Sequence, residues 1–211
     1  MTTLLVERHA QTTANVSGQF AGHADFPLTP LGHLQAQRTA EYLAAHGPVD
    51  AIYASDLTRT RQTAGHAARA LGLEVHAERR LRELFGGRWE GVSQERRQQD
   101  DPELMAQWLT DIGHFRCPGG ESLEEAGIRV EAALRDIARQ NEGKTVLVTT
   151  HGAAIRSSLC RILGLPLSRM EEIPWAPNAS LTTLTYDDGI WTVVRMGQDD
   201  FLVGLRPEDQ V

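Results

Sequence analysis

The chain has 211 residues, 41% apolar and 23% charged, an ordinary globular composition sufficient for one domain with a full core. Its net charge of -7 argues against a general nucleic-acid binder, so any phosphate it binds must be met by a few cations concentrated in one pocket. No secretory leader pattern opens the chain, no run approaches the roughly 18 apolar residues of a membrane span, and Cys117 and Cys160 form no CxxC, so a cytoplasmic protein without nucleic-acid or membrane partners is expected.

In chain order, Thr3 to Val6 is short and β-rich, and a Gly-rich polar loop runs on to Pro30. Apolar positions recur with helical spacing from Leu31 to Ala45, and His46-Gly47-Pro48 supplies a stop. Asp50 to Ala54 reads as a second strand. Thr60, Ala64, Ala67 and Leu71 mark one helix face, Gly72 ends that helix, and Leu73 to His76 reads as a short strand. Residues 86–120 have no clean period. They read as short helices and loops over one end of the sheet, with Trp108, Phe85 and Phe115 as core or pocket wall. Leu123, Ala126, Val130, Ala133, Leu134 and Ile137 form a clear helical stripe. Lys144 to Thr150 has the continuous apolar centre of a buried parallel strand, and a helix follows from about Ala153 to Leu163. Leu181 to Tyr186 and Trp191 to Met196 form a closing hairpin about Asp187-Asp188-Gly189, and Arg206 to Val211 is expected to fray. Alternating strands and helices imply an α/β fold, a three-layer α/β/α sandwich with a mostly parallel central sheet.

In open α/β sheets ligands bind beyond the carboxyl ends of the strands. The first strand ends in Glu7-Arg8-His9, the second leads into Ser55-Asp56-Leu57-Thr58-Arg59, and the buried strand ends in Thr150-His151-Gly152. Two Arg and two His therefore lie at equivalent strand ends, and Leu81-Arg82-Glu83 adds a carboxylate. Arg is suited to a dianionic phosphoryl group, neutral imidazole to nucleophilic attack, and Glu or His to protonating a leaving oxygen.

These segments resemble the histidine phosphatase superfamily, in its phosphoglycerate-mutase-like branch. Arg8-His9-Ala10-Gln11-Thr12 with Asn15 matches its opening Arg-His-Gly-x-Thr signature. Gly22, Leu28-Thr29-Pro30-Leu31-Gly32, Ser55-Asp56-Leu57-Thr58-Arg59 with Thr63-Ala64, Leu81-x-Glu83 with Trp89-Glu90-Gly91, and Thr150-His151-Gly152 follow in order over nearly the whole chain. The resemblance implies one domain over 1–211, with 86–120 as an irregular cap. It implies that His9 takes the phosphoryl group while a backbone carbonyl holds its other nitrogen. Arg8, Arg59 and His151 would surround the phosphate oxygens, and Glu83 would serve as the acid. Asn15, Thr12, Ala21, Gly22 and Gly152 are assigned to the substrate, with no metal or cofactor. Ala10 stands in place of the usual Gly, a strained substitution if the position needs positive φ. Ala21 replaces a polar residue, leaving a backbone contact there.

Other readings sit beside these. Glu90 and Glu121 lie in candidate loops as alternatives to Glu83, and Glu121 also reads as a helix N-terminal carboxylate. His23 and His114 are kept as pocket candidates, and Arg96-Arg97 reads as solvated charge. The same residues serve a phosphatase and a cofactor-dependent phosphoglycerate mutase. Residues 86–120 contain no Lys, and Gln107-Trp108-Leu109-Thr110 replaces the mutases' Trp-Arg-Arg, so hydrolysis of small phosphate esters is expected. A catalytically dead phosphate-binding module is disfavoured by the complete set. Dimers occur among relatives, and a homodimer is compatible with the sequence.

Overall fold

The structure, a computed structural model, describes residues 1–206. Among them six strands form one sheet in the order β3-β2-β4-β1-β5-β6. These are β1 (Thr2–Arg8), β2 (Ala51–Ala54), β3 (Val75–Ala77), β4 (Thr145–Thr150), β5 (Leu181–Asp187) and β6 (Ile190–Gln198). Strands β3, β2, β4 and β1 run parallel, and β5 alone opposes its neighbours. The sheet is therefore mixed and mostly parallel, as expected. β4 is buried from Val146 onward, which matches its continuous apolar sequence.

Two faces of side chains follow from the period of two along each strand. Leu4, Val6, Val146 and Val148 face one layer, built from α6 (Leu123–Gln140) and α7 (Gly152–Ile162). Ile52, Ala54 and Leu147 face the other, where α2 (Pro30–His46) supplies Ala40 and Leu43, and α3 (Thr58–Leu71) supplies Ala64 and Ala67. Helix α6 starts at a capping box in which Ser122 accepts from Glu125 N and Glu125 answers to Ser122 N, so the cap belongs to Ser122 rather than to Glu121.

The hairpin turn is tighter than the sequence suggests. Asp187 still pairs with Ile190, and only Asp188 and Gly189 turn, both at positive φ, as a two-residue turn of the right twist demands. The loop before Pro30 holds an unforeseen helix, α1 (Thr13–Ser17). Five residues are too few to show a period, and the box that starts it uses Thr12 with Asn15 instead of Glu or Gln at the third position. Residues 86–120 contain α4 (Gln94–Asp100), started by Ser93, and α5 (Pro102–Thr110), with Pro at its first position. They send Trp89, Met105, Ile112 and Phe115 into the core, so Phe115 is a core residue, while Phe85 is 37% exposed. Of the expected frayed end, Arg206 pairs with Asp199 at 3.1 Å, and the remainder lies outside the described residues.

Candidate active site

The register of the parallel strands creates the site. Arg8 pairs with Thr150 and Ala54 with Thr149, so β1, β4 and β2 end side by side. The next residues, His9, His151 and Ser55, therefore emerge together despite their separation in sequence. The rings of His9 and His151 stand 5.3 Å apart at 62°. Both side chains are buried.

Hydrogen bonds define both imidazoles. Nδ1 of His9 lies 2.8 Å from the carbonyl oxygen of Ala10. A carbonyl can only accept, so Nδ1 carries the proton and Nε2 carries the lone pair. The Nε–H of Arg59 donates to Nδ1 of His151 at 3.1 Å; a guanidinium can only donate, so the proton of His151 is on Nε2, which meets Ser55 Oγ at 2.9 Å. Burial, then Arg59 and Arg8, hold His9 well below the ordinary imidazole range, against the pull of the Ala10 carbonyl. Burial, then Arg59 and His9, do the same for His151. Both rings are neutral near pH 7.

Three cationic or acidic groups surround them. Arg8 donates through Nη1 to the Ala176 carbonyl at 2.6 Å, while its Nε is buried and without a hydrogen-bond partner among the described residues. Burial pushes its pKa down, and Glu83 opposes that shift. A Cβ on Gly152 would stand 3.3 Å from that Nε, so glycine lets the guanidinium lie against the start of α7. Arg59 is fully buried, and its Nη2 and Nη1 donate to the carbonyls of Gly22 at 2.6 Å and Ala24 at 2.9 Å. Glu83 accepts from Leu84 N and Ala154 N, both at 2.9 Å, and from Ala153 N at 3.2 Å, so its carboxylate caps the first turn of α7.

A cleft of about 170 Å³ opens above this group. Of the residues singled out from sequence, Arg8, His9, Asn15, Glu83 and Gly152 line it, together with Ala21 and Gly22. Arg59 and His151 stand behind His9. Thr12 is fully buried and outside the lining; its N–H and hydroxyl both donate to Asn15 Oδ1 at 2.9 Å, which leaves the Asn15 amide N–H groups toward the cleft. Ala10 is absent from the positive-φ residues, so the Ala-for-Gly exchange carries no backbone strain. The strain lies instead at Ala179, buried at φ 58, whose N–H donates to the Arg8 carbonyl at 3.0 Å. Its neighbour Asn178 donates to the His9 carbonyl at 2.9 Å.

The alternative carboxylates have other work. Glu90 accepts from His23 N at 2.8 Å, Ala24 N at 2.5 Å and Gly86 N at 2.7 Å, holding the loop after Gly22. Glu121 pairs with Arg129, which also donates to the carbonyls of Arg80, Arg82 and Glu83 and so fixes the backbone that presents Glu83. His23 donates from Nε2 to the Glu83 carbonyl at 2.8 Å and is not in the lining. His114 is exposed beside Asp111, away from the cleft.

Sequence reading missed Gln19, Phe20 and Trp175 in the cleft wall, and it took Arg97 for a solvated charge. Arg97 is only 7% exposed. The helical phase set by the Ser93 cap was the available signal: it turns Arg96 outward to Asp100 and its neighbour inward.

A mostly parallel α/β/α domain with a neutral buried imidazole under a cationic cleft at its strand ends defines an enzyme of phosphate-ester chemistry. The sequence profile of the histidine phosphatase superfamily (branch 1) matches residues 4–199, and the chain belongs to that family. A probable phosphoglycerate mutase GpmB from Yersinia enterocolitica is 35% identical over 191 residues, covering 90% of this chain and 88% of its own. Phosphoserine phosphatase 1 from Hydrogenobacter thermophilus is 34% identical over 169 residues, 80% of each chain. Among solved structures, Bacillus stearothermophilus YhfR superposes with a TM-score of 0.91 at 29% identity, covering 96% of this chain and all of that one. A mycobacterial glucosyl-3-phosphoglycerate phosphatase superposes with a TM-score of 0.86 at 29% identity, covering 93% and 99%. Among the described residues, no helix is long and apolar enough to cross a membrane.

Proposed function

We propose that this chain hydrolyses small phosphomonoesters through a phosphohistidine on His9. The observation that carries the reading is the state of that side chain: Nδ1–H bound to the Ala10 carbonyl, a pKa held down by burial and two guanidinium groups, and a place in the wall of a cleft shared with Arg8. The Nε2 lone pair attacks phosphorus, forming an N–P bond as the ester P–O bond breaks. The leaving oxygen takes a proton from Glu83. Glu83 then removes a proton from water, whose oxygen attacks phosphorus, breaks the N–P bond and releases phosphate and neutral His9. Arg8, with its unpartnered buried Nε, and the Asn15 amide meet the phosphoryl oxygens. Arg59 and His151 hold the floor beneath His9 and supply charge from behind it.

Residues 86–120 act as the cap of the single domain, because Trp108 enters the cleft wall from that segment. The chemistry runs without a metal. The two cysteines, both buried and unpaired, suit a reducing cytoplasm. The relatives named as probable mutases favour a second reading, phosphoglycerate mutation. The absence of Lys between residues 86 and 120 and the presence of Leu109 and Thr110 after Trp108 speak for hydrolysis.

The test is rapid-quench labelling with a phosphate ester. The expected result is an acid-labile phosphate on the wild-type chain that is absent from a folded His9→Ala variant, with turnover lost in that variant and unchanged by EDTA. Turnover surviving in His9→Ala ends the reading. Isomerisation of 3-phosphoglycerate, with bisphosphate primer, faster than hydrolysis of any ester replaces it by the mutase.

A further inference from the structure

Arg97, on α4, is a buried guanidinium that forms no ion pair among the described residues. Its central carbon lies 5.2 Å from the ring of Phe20 and 5.1 Å from that of Trp89, and the side chain lines the same cleft as His9. Its polar partners are distant: Nε to the Ser93 carbonyl at 3.4 Å and Nη2 to the Gly18 carbonyl at 3.5 Å. Among the described residues no carboxylate pairs with it, although Arg96 beside it reaches Asp100 at 2.6 Å and the nearby Arg88 reaches Asp101 at 3.2 Å. Burial pushes its pKa down.

The long contacts to the Ser93 and Gly18 carbonyls meet this charge only weakly. Desolvating a guanidinium costs several kcal/mol. A cation–π contact returns less than that cost, so two of them offset the burial in part. A surface arginine would avoid the cost by turning outward, as Arg96 does. Arg97 instead stays packed against two neighbouring rings, with its free donors open to a cleft that Arg8 and His9 also line. Trp108 and Trp175 close that cleft with apolar surface, which strengthens any charge pairing inside it.

We propose that Arg97 reads a second anionic group on the substrate, so that the preferred substrates are phosphomonoesters whose alcohol carries a carboxylate or a second phosphate. This rests on the phosphatase reading of the cleft, because the first anion is the phosphoryl group at His9. Both a planar carboxylate and a phosphate match the guanidinium fork in two parallel hydrogen bonds.

The experiment separates binding from turnover. In the His9→Ala background, calorimetry compares 3-phosphoglycerate, glycerol 3-phosphate and propane-1,3-diol bisphosphate. The expected result is that 3-phosphoglycerate binds about tenfold or more tightly than glycerol 3-phosphate, and that adding Arg97→Met shrinks the ratio to within about threefold, the loss of one charge-assisted pair. Arg97→Gln, also uncharged, must do the same, which covers failure of the Met variant to fold. Tighter binding of the bisphosphate than of the carboxylate assigns the second anion as phosphate. With His9 intact, Arg97→Met must lower kcat/KM for 3-phosphoglycerate at least about threefold more than for p-nitrophenyl phosphate, since the latter ester has no second anion. Equal binding of all three compounds, or a ratio that survives both Arg97 variants, overturns the proposal. A wild-type chain that hydrolyses no ester yet keeps the Arg97-dependent ratio overturns hydrolysis and leaves this inference standing.

Discussion

Nε of Arg59 donates to Nδ1 of His151 at 3.1 Å, and the remaining ends of the same guanidinium hold the carbonyls of Gly22 and Ala24. One fully buried side chain thus sets the tautomer of the second imidazole and the path of the loop that walls the cleft. Its charge also helps keep both rings neutral. Lys can supply the charge but lacks the planar fork whose three separate nitrogens meet these three acceptors. Arg59→Lys is therefore expected to lower kcat/KM by about 10²–10³, as loss of a preorganised donor does elsewhere. It should also cost roughly 1.5–3 kcal/mol for each charge-assisted hydrogen bond left unmade. Steady-state kinetics and urea unfolding check both, and an unchanged unfolding midpoint would show that the loop does not depend on Arg59.

Glu83 meets two backbone N–H groups of the first turn of α7 while lining the cleft. Gln retains one oxygen to accept from that turn but has no proton to give. Glu83→Gln should slow hydrolysis by about 10²–10⁴ for alkyl esters, whose alkoxides need the proton, and much less for p-nitrophenyl phosphate. A uniform loss across leaving groups removes Glu83 from the acid role.

Gly22 adopts φ +45, and a Cβ there would lie 2.2 Å from Oε1 of Glu90. That oxygen already holds the N–H groups of His23 and Gly86. Gly22→Ala therefore costs about 1–2 kcal/mol in backbone strain alone and displaces the Glu90 carboxylate. The expected readout is a lower thermal midpoint together with a raised KM. A variant with wild-type stability would show that the loop yields freely.

Glu7 precedes Arg8 but faces the other side of the sheet, almost fully buried, with Thr149 Oγ1 donating to it at 2.7 Å. Burial raises its carboxyl to about 8 from 4.5, against the Thr149 hydrogen bond. Between those values the folded chain keeps a proton that the unfolded chain releases. The stability contribution is thus full below 4.5 and is lost as pH rises to 8, at up to about 1.4 kcal/mol per pH unit. His9 and His151 have the opposite sign: their pKa values are lowered, so their contribution is present above the ordinary imidazole value and fails as pH falls below about 6.5. Glu7→Gln keeps an acceptor for Thr149 and cannot ionise. Unfolding free energies at pH 5, 6.5 and 8 should show Glu7→Gln gaining on wild type as pH rises, with the histidine contribution cancelling in the difference. A pH-independent difference refutes the assignment.

Much of this was legible in the chain itself. The apolar run of Lys144 to Thr150 and the stripe from Leu123 to Ile137 are local patterns, because a strand or helix repeats its environment every two or 3.6 residues. His9, Arg59 and His151 stood out because chemistry at a parallel sheet gathers where strands end, and Glu83 stood out through the Leu81-x-Glu83 match. What only the tertiary structure decided is which charges find partners. Arg96 and Arg97 are neighbours of one residue type, yet one meets Asp100 and the other enters the cleft unpaired. Glu90, Glu83 and Glu121 read alike in sequence, yet each accepts from a different set of N–H groups brought from far along the chain. Burial and pairing depend on what the rest of the chain places alongside, and no local period carries that information.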